Sequence, residues 1–114
     1  MVVIQILGIP PSSDRSETNT MRQDLKDATA AIVDLHIQAD DVFVYFTDDQ
    51  HQPIVPQQIV ALVETVNGRD RGIETKRKLA QIVGDLLSGH YTAARVYVKV
   101  RSSNKEFDGI WDNK

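Results

Sequence analysis

The order apolar run, amphipathic stripe, apolar run occurs twice in succession in this chain, and that alternation restricts it to a sheet with crossover helices. The first run, residues 2–7, is short and β-branched and is closed by Gly8, Pro10 and Pro11, the composition of a buried strand followed by a breaker. After a polar stretch over 12–18, Met21, Leu25, Ala28, Ile32 and Leu35 recur at spacings of four, three, four and three. That stripe predicts a helix over about residues 16–35. Residues 42–46, Val-Phe-Val-Tyr-Phe, read as the next strand, and 47–58, with Pro53 and Pro56, as a loop or weak hairpin.

The plan then repeats. Residues 59–63 read as a third strand ended by Asn67-Gly68, and Leu79, Ile82, Val83, Leu86 and Leu87 mark a helix over about 73–88, with Gly89 placed to terminate it. A fourth strand follows at 96–100. Thr20-Met-Arg22 lies over Thr75-Lys-Arg77 at an offset of 55, and Val42-Phe-Val44 over Val96-Tyr-Val98 at 54, the pattern of an internal duplication. The expected organisation is a single domain over 1–114, with β-α-β units at 1–47 and 59–100 and a tail at 101–114. The expected fold class is α/β (α+β), a four-stranded sheet with two helices on one face.

Strand parity adds a requirement. Ile4, Ile6, Val42, Val44, Phe46, Val96, Val98 and Val100 form a core face. The opposite parity carries Val3, Leu7, Phe43, Tyr45, Val60, Leu62 and Tyr97, interrupted by Gln5 and Lys99. Two crossover helices cover one face only, and the second is too apolar for open solvent. It is therefore expected to be buried in an oligomer, the alternative being a monomer with a partly apolar open sheet face.

Composition narrows the chemistry. With 114 residues, 41% apolar and 25% charged, the chain can build one packed core. A net charge of −3 gives no broad basic footprint for nucleic acid or an anionic membrane. There are no cysteines, which excludes disulfides, thiolate metal sites and cysteine nucleophiles. The amino-terminal apolar run falls far short of the roughly 20 residues a membrane helix needs, and a cytoplasmic location is the expectation. His36, His51 and His90 have no spacing suited to a shared metal and read as surface residues. Asp40-Asp41 and Asp48-Asp49 bracket strand two and read, by position, as solvated turn carboxylates. No glycine-rich phosphate loop or nucleophile elbow is present. Arg69-Asp-Arg71 differs: it lies between strand three and helix two, where guanidinium forks and free helix N–H groups can converge on a carboxylate, the alternative being a pair of solvated loop arginines.

These residues carry a resemblance. Val2-Val-Ile-Gln-Ile6 is similar to the opening strand Pro-Ile-Val-Gln-Ile of 4-oxalocrotonate tautomerase. Val66-Asn-Gly-Arg-Asp-Arg71, leading into Glu74-Thr-Lys76, is similar to the Arg-x-Arg turn and second helix of malonate semialdehyde decarboxylase. Phe107-Asp-Gly-Ile-Trp111 resembles the aromatic-Gly segment that closes the pocket in several relatives. The chain thus resembles the tautomerase superfamily, in its long members with two fused β-α-β units. The resemblance implies a homotrimer with sheets facing inward and a pocket for small unsaturated or oxo-carboxylates, without a cofactor. It implies Arg69 and Arg71 as carboxylate binders, Phe107 or Trp111 as a pocket wall, and Asp41 near the family's water-activating aspartate. It further implies isomerase, hydratase or decarboxylase chemistry, with an amino-terminal proline as general base or acid.

Here the chain departs from the family, since Val2 stands where the proline belongs. With Met1 removed, Val2 presents a primary α-amine that titrates near neutral pH. With Met1 kept, the Val2 nitrogen is an amide, and the Met1 amine is displaced by up to about 3.5 Å along the strand. That displacement exceeds the tolerance of a proton-transfer contact of about 2.6–3.2 Å. Two other readings follow. One is a family member without catalysis, acting as a binding or structural trimer. The other is a ferredoxin-like small-molecule module, which shares the β-α-β-β-α-β order.

Overall fold

Alternating β-branched residues set the strands and a four-residue apolar spacing sets the helices, but the way the strands pair is visible only in three dimensions. The computed structural model describes residues 1–9, 15–32, 35–48, 58–66 and 72–103. The elements are β1 (Val2–Ile9), α1 (Arg15–Ala30), a 3-10 turn (Ala39–Asp41), β2 (Val42–Asp48), β3 (Gln58–Val66), α2 (Gly72–His90) and β4 (Arg95–Ser103). The sheet order is β2-β1-β3-β4. β1 runs parallel to β2, β3 parallel to β4, and β1 antiparallel to β3 down the centre. Each helix therefore joins neighbouring strands, unlike the split β-α-β of the ferredoxin-like plan. The expected fold class is the one observed.

Both helices lie on one face. Val2, Ile4, Ile6, Val42, Ile59, Ala61 and Val63 bury against Met21 and Leu25 of α1 and Leu79, Val83 and Leu87 of α2. On the edge strand β4, Val96, Val98 and Val100 are only partly covered. At the other edge Arg22 of α1 reaches over β2. Its Nε donates to the Val44 carbonyl at 3.4 Å, and its guanidinium lies 5.2 Å from the Phe46 ring centroid.

Element ends depart from expectation for local reasons. α1 stops at Ala30 rather than near Leu35, because the Ile32 N–H bonds the Thr29 carbonyl and the Leu35 N–H bonds that of Ile32. These i→i−3 contacts tighten the chain, and His36 then takes a left-handed φ of 52°. Ile32 and Leu35 remain buried, so the apolar period outlasts the helix. Gly89 does not terminate α2, which continues to His90. There the His90 Nε2 lies 3.8 Å from the Asp24 carboxylate of α1.

β1 continues past Leu7 over a bulge. Leu7 pairs with Thr47 and Ile9 with Asp48, so Gly8 is the extra residue, and it is buried with φ 90°. The bulge reverses parity. Ile9, which alternation alone would point away from the helices, is 1% exposed.

Burial also realigns the two halves. Met21, Leu25 and Thr29 of α1 occupy the positions that Thr75, Leu79 and Val83 hold in α2, the same offset as Val42 over Val96. The match of Thr20-Met-Arg22 to Thr75-Lys-Arg77 is thus one residue out of register with the burial. Thr29 is fully buried, and its hydroxyl has no hydrogen-bond partner among the described residues. Its counterpart is Val83. A buried unmatched hydroxyl costs about 1–3 kcal/mol, whereas an apolar group of equal shape does not. Thr29→Val is therefore expected to raise stability by about 1 kcal/mol in urea unfolding. A loss of stability would reveal a partner for the hydroxyl.

Candidate functional site at one end of the sheet

Register gathers the candidate residues. Val42, Val2, Thr65 and Ser102 form one cross-strand row. Just beyond it at the same end lie Asp41, Met1, Val66 and Ser103, because β1 and β2 begin where β3 and β4 finish. α2, 19 residues long, returns the chain to the start of β4 at the opposite end, so its first turn also belongs here. Residues 67–71 leave from Val66 and residues 104–114 from Ser103. Arg69, Arg71, Phe107 and Trp111 lie outside the described residues, as does the stretch 49–57 with His51, Pro53 and Pro56.

Three candidates are placed. Met1 is 42% exposed and carries the parity of the uncovered face. Val2 is fully buried, with its side chain on the helix side and its nitrogen within a peptide bond. Asp41 is exposed, and its Oδ2 accepts a hydrogen bond from the Gln38 N–H at 3.1 Å across the 3-10 turn. That bond fixes the carboxylate at the mouth of β2, two strand-edges from the exit of β3.

Two hydroxyls beyond the sequence-derived candidates join this end. Thr65, 1% exposed, donates to the Ser102 Oγ at 3.2 Å. Both lie on the core parity, following Ile59, Ala61 and Val63 on β3 and Val96, Val98 and Val100 on β4. The signal was present in the sequence: a polar residue appears where alternation demands an apolar one. Thr75, in the first turn of α2, is also buried.

A cavity of about 600 Å³ lies elsewhere, between the end of α1 and the first half of α2, over Ala31, Ile32 and Ile82. Its rim pair Arg77 and Glu74, 3.8 Å apart, is 71% and 80% exposed, and Met1, Val2 and Asp41 do not line it. A smaller cavity of about 250 Å³ lies on the uncovered sheet face. Among the described residues no group of three or more His, Cys, Asp or Glu side chains is placed to hold a metal. No described helix is long and apolar enough to cross a membrane.

No protein-family model and no curated protein matches this sequence. Solved structures do match. A macrophage migration inhibitory factor from Toxoplasma gondii superposes with a TM-score of 0.73 at 15% identity, over 97% of this chain and 97% of that one. A fused 4-OT described as a wild-type asymmetric trimer gives 0.68 at 14%, over 95% and 91%. A malonate semialdehyde decarboxylase gives 0.66 at 10%, over 98% and 92%. These are tautomerase-superfamily structures, and at such identities the likeness carries the fold alone.

Proposed function

We propose that the chain binds a small unsaturated or oxo-carboxylate at the sheet end that holds Met1 and Asp41, in a trimer assembled through the uncovered sheet face. The observation that carries this reading is the convergence of four strand ends and the start of α2, which puts the origins of 67–71 and 104–114 at the same end of the sheet as Met1 and Asp41, with Val66 on the strand next to β1. In this reading Arg69 and Arg71 hold the carboxylate through paired guanidinium hydrogen bonds, and Phe107 or Trp111 walls the pocket. Proton transfer falls to an α-amine (Met1, or Val2 after removal of Met1), to Asp41, or to water. The similar structures agree with the reading in kind, since one is described by its decarboxylase and hydratase activities and another as a trimer.

A panel of enol and oxo-acids, including phenylenolpyruvate and acetylene carboxylates, assayed on wild type, Arg69→Ala and Arg71→Ala tests it. A charge-assisted hydrogen bond contributes about 1.5–3 kcal/mol, so each variant should lose roughly 10- to 150-fold in kcat/KM or affinity. Binding without turnover would select the second reading, a trimer that binds without catalysis, which valine in place of proline at position 2 favours. Neither binding nor turnover would remove the carboxylate site.

A further inference from the structure

The chain is acidic overall, with a net charge of −3, yet its uncovered sheet face is basic. The described strand residues of that parity include Arg95, Lys99 and Arg101 on β4 against one acid, Glu64 on β3. Register lines them up: Gln5, Leu62 and Lys99 form one cross-strand row, and Val3, Glu64 and Arg101 the next. The cavity of about 250 Å³ is lined by these six residues together with Val63. The Arg101 Nη2 stands 3.5 Å from the Glu64 Oε1, so that pair is matched internally. Lys99 has no carboxylate within ion-pair distance among the described residues.

We propose that this groove binds a small multivalent oxyanion of the phosphate class, held by the Lys99 ammonium with the Gln5 amide and the outward donors of Arg101. The volume is below the roughly 300–1,000 Å³ of pockets for drug-sized ligands and suits one small ion. The inference rests on the proposed self-association in one respect. Covering the face takes Lys99 out of water, and a covered ammonium needs a counter-charge that Glu64, already engaged, does not supply. Cations on an edge strand also deter pairing with another chain, but that role needs charge alone and distinguishes no anion from another.

Thermal unfolding and sedimentation of the full chain, in inorganic phosphate and in sodium chloride at equal ionic strength, separate these roles. The proteins compared are wild type, Lys99→Gln, Lys99→Arg and the Arg69→Ala/Arg71→Ala double variant. Phosphate at about ten times its half-saturating concentration should raise the wild-type midpoint over chloride by about 5 °C or more. Lys99→Gln should lose that shift, while Lys99→Arg and the double variant keep it. An equal shift in wild type and Lys99→Gln overturns the groove, as does no shift in wild type or a shift lost only in the double variant. A monomeric wild type with a Lys99-dependent shift supports the groove and removes the self-association reading. An assembled wild type without a shift does the reverse.

Discussion

Leu62→Arg is expected to turn an assembled protein into a folded monomer. Leu62 lies on a central strand, 38% exposed on the face away from the helices, so any packing of copies through that face covers it. Around it Phe43, Tyr45 and Tyr97 are 42%, 57% and 59% exposed, a concentration of large apolar side chains that water solvates poorly. An arginine there would stand beside Lys99, its register partner on β4, and would place two like charges where the sheet already lacks acid. The monomer core loses nothing, because Ile4, Ile59 and Leu79 pack on the other side. If the proposed trimer forms, sedimentation should fall from its mass to that of one chain, with helix and strand content unchanged. A wild type that already sediments as one chain would end the assembly reading.

Gly8→Ala is expected to lower the stability of each subunit by about 1–3 kcal/mol, or roughly 5 °C in unfolding midpoint per kcal/mol. A φ of 90° is open to glycine and strained for any residue with a Cβ. Relaxing it would undo the bulge and turn Ile9 out of the core, so strain and lost burial act together. Gly8→Val should cost more, since branching at Cβ narrows the choice further. Urea unfolding followed by circular dichroism checks the series, and midpoints in which alanine and valine match wild type would mean that Gly8 does not need its positive φ.

The legible part of the fold was the part governed by single-residue periodicity. Ile4 and Ile6, or Leu79 and Val83, announce their faces by spacing because burial follows the strand or helix repeat. Chain direction did not announce that β1 would take β3 as an antiparallel neighbour. Pairing is a choice among long-range contacts, and each strand has equally apolar candidates. Leu35 misled because a tight turn can present side chains in the direction a helix would, and Gly89 because the hydrogen bonding of α2 outlasted the local preference of one residue. At the candidate site, Asp41 and Met1 came together through register, which spacing of 40 residues along the chain cannot reveal. The Thr65–Ser102 pair is hard to read from sequence because both residues are polar and each lies one core position past the last apolar residue on that face of its strand, Val63 or Val100.

The β1–β3 seam has a consequence for how the chain reaches its native state. Six residue pairs, Val2 with Thr65 through Leu7 with Val60, are the direct strand contact between the two halves. Were the halves separate molecules, each would present a bare strand, β1 or β3, and would have to find its mate by diffusion. Covalent connection replaces that encounter with an intramolecular one, whose effective concentration is set by the connection rather than by the amount of protein in solution. Joining the halves also frees them to differ, because each half has one fixed mate. Threonine at 29 opposite valine at 83, and a cationic β4 opposite an aromatic β2, are differences that a self-pairing half would have to carry on both sides of its seam.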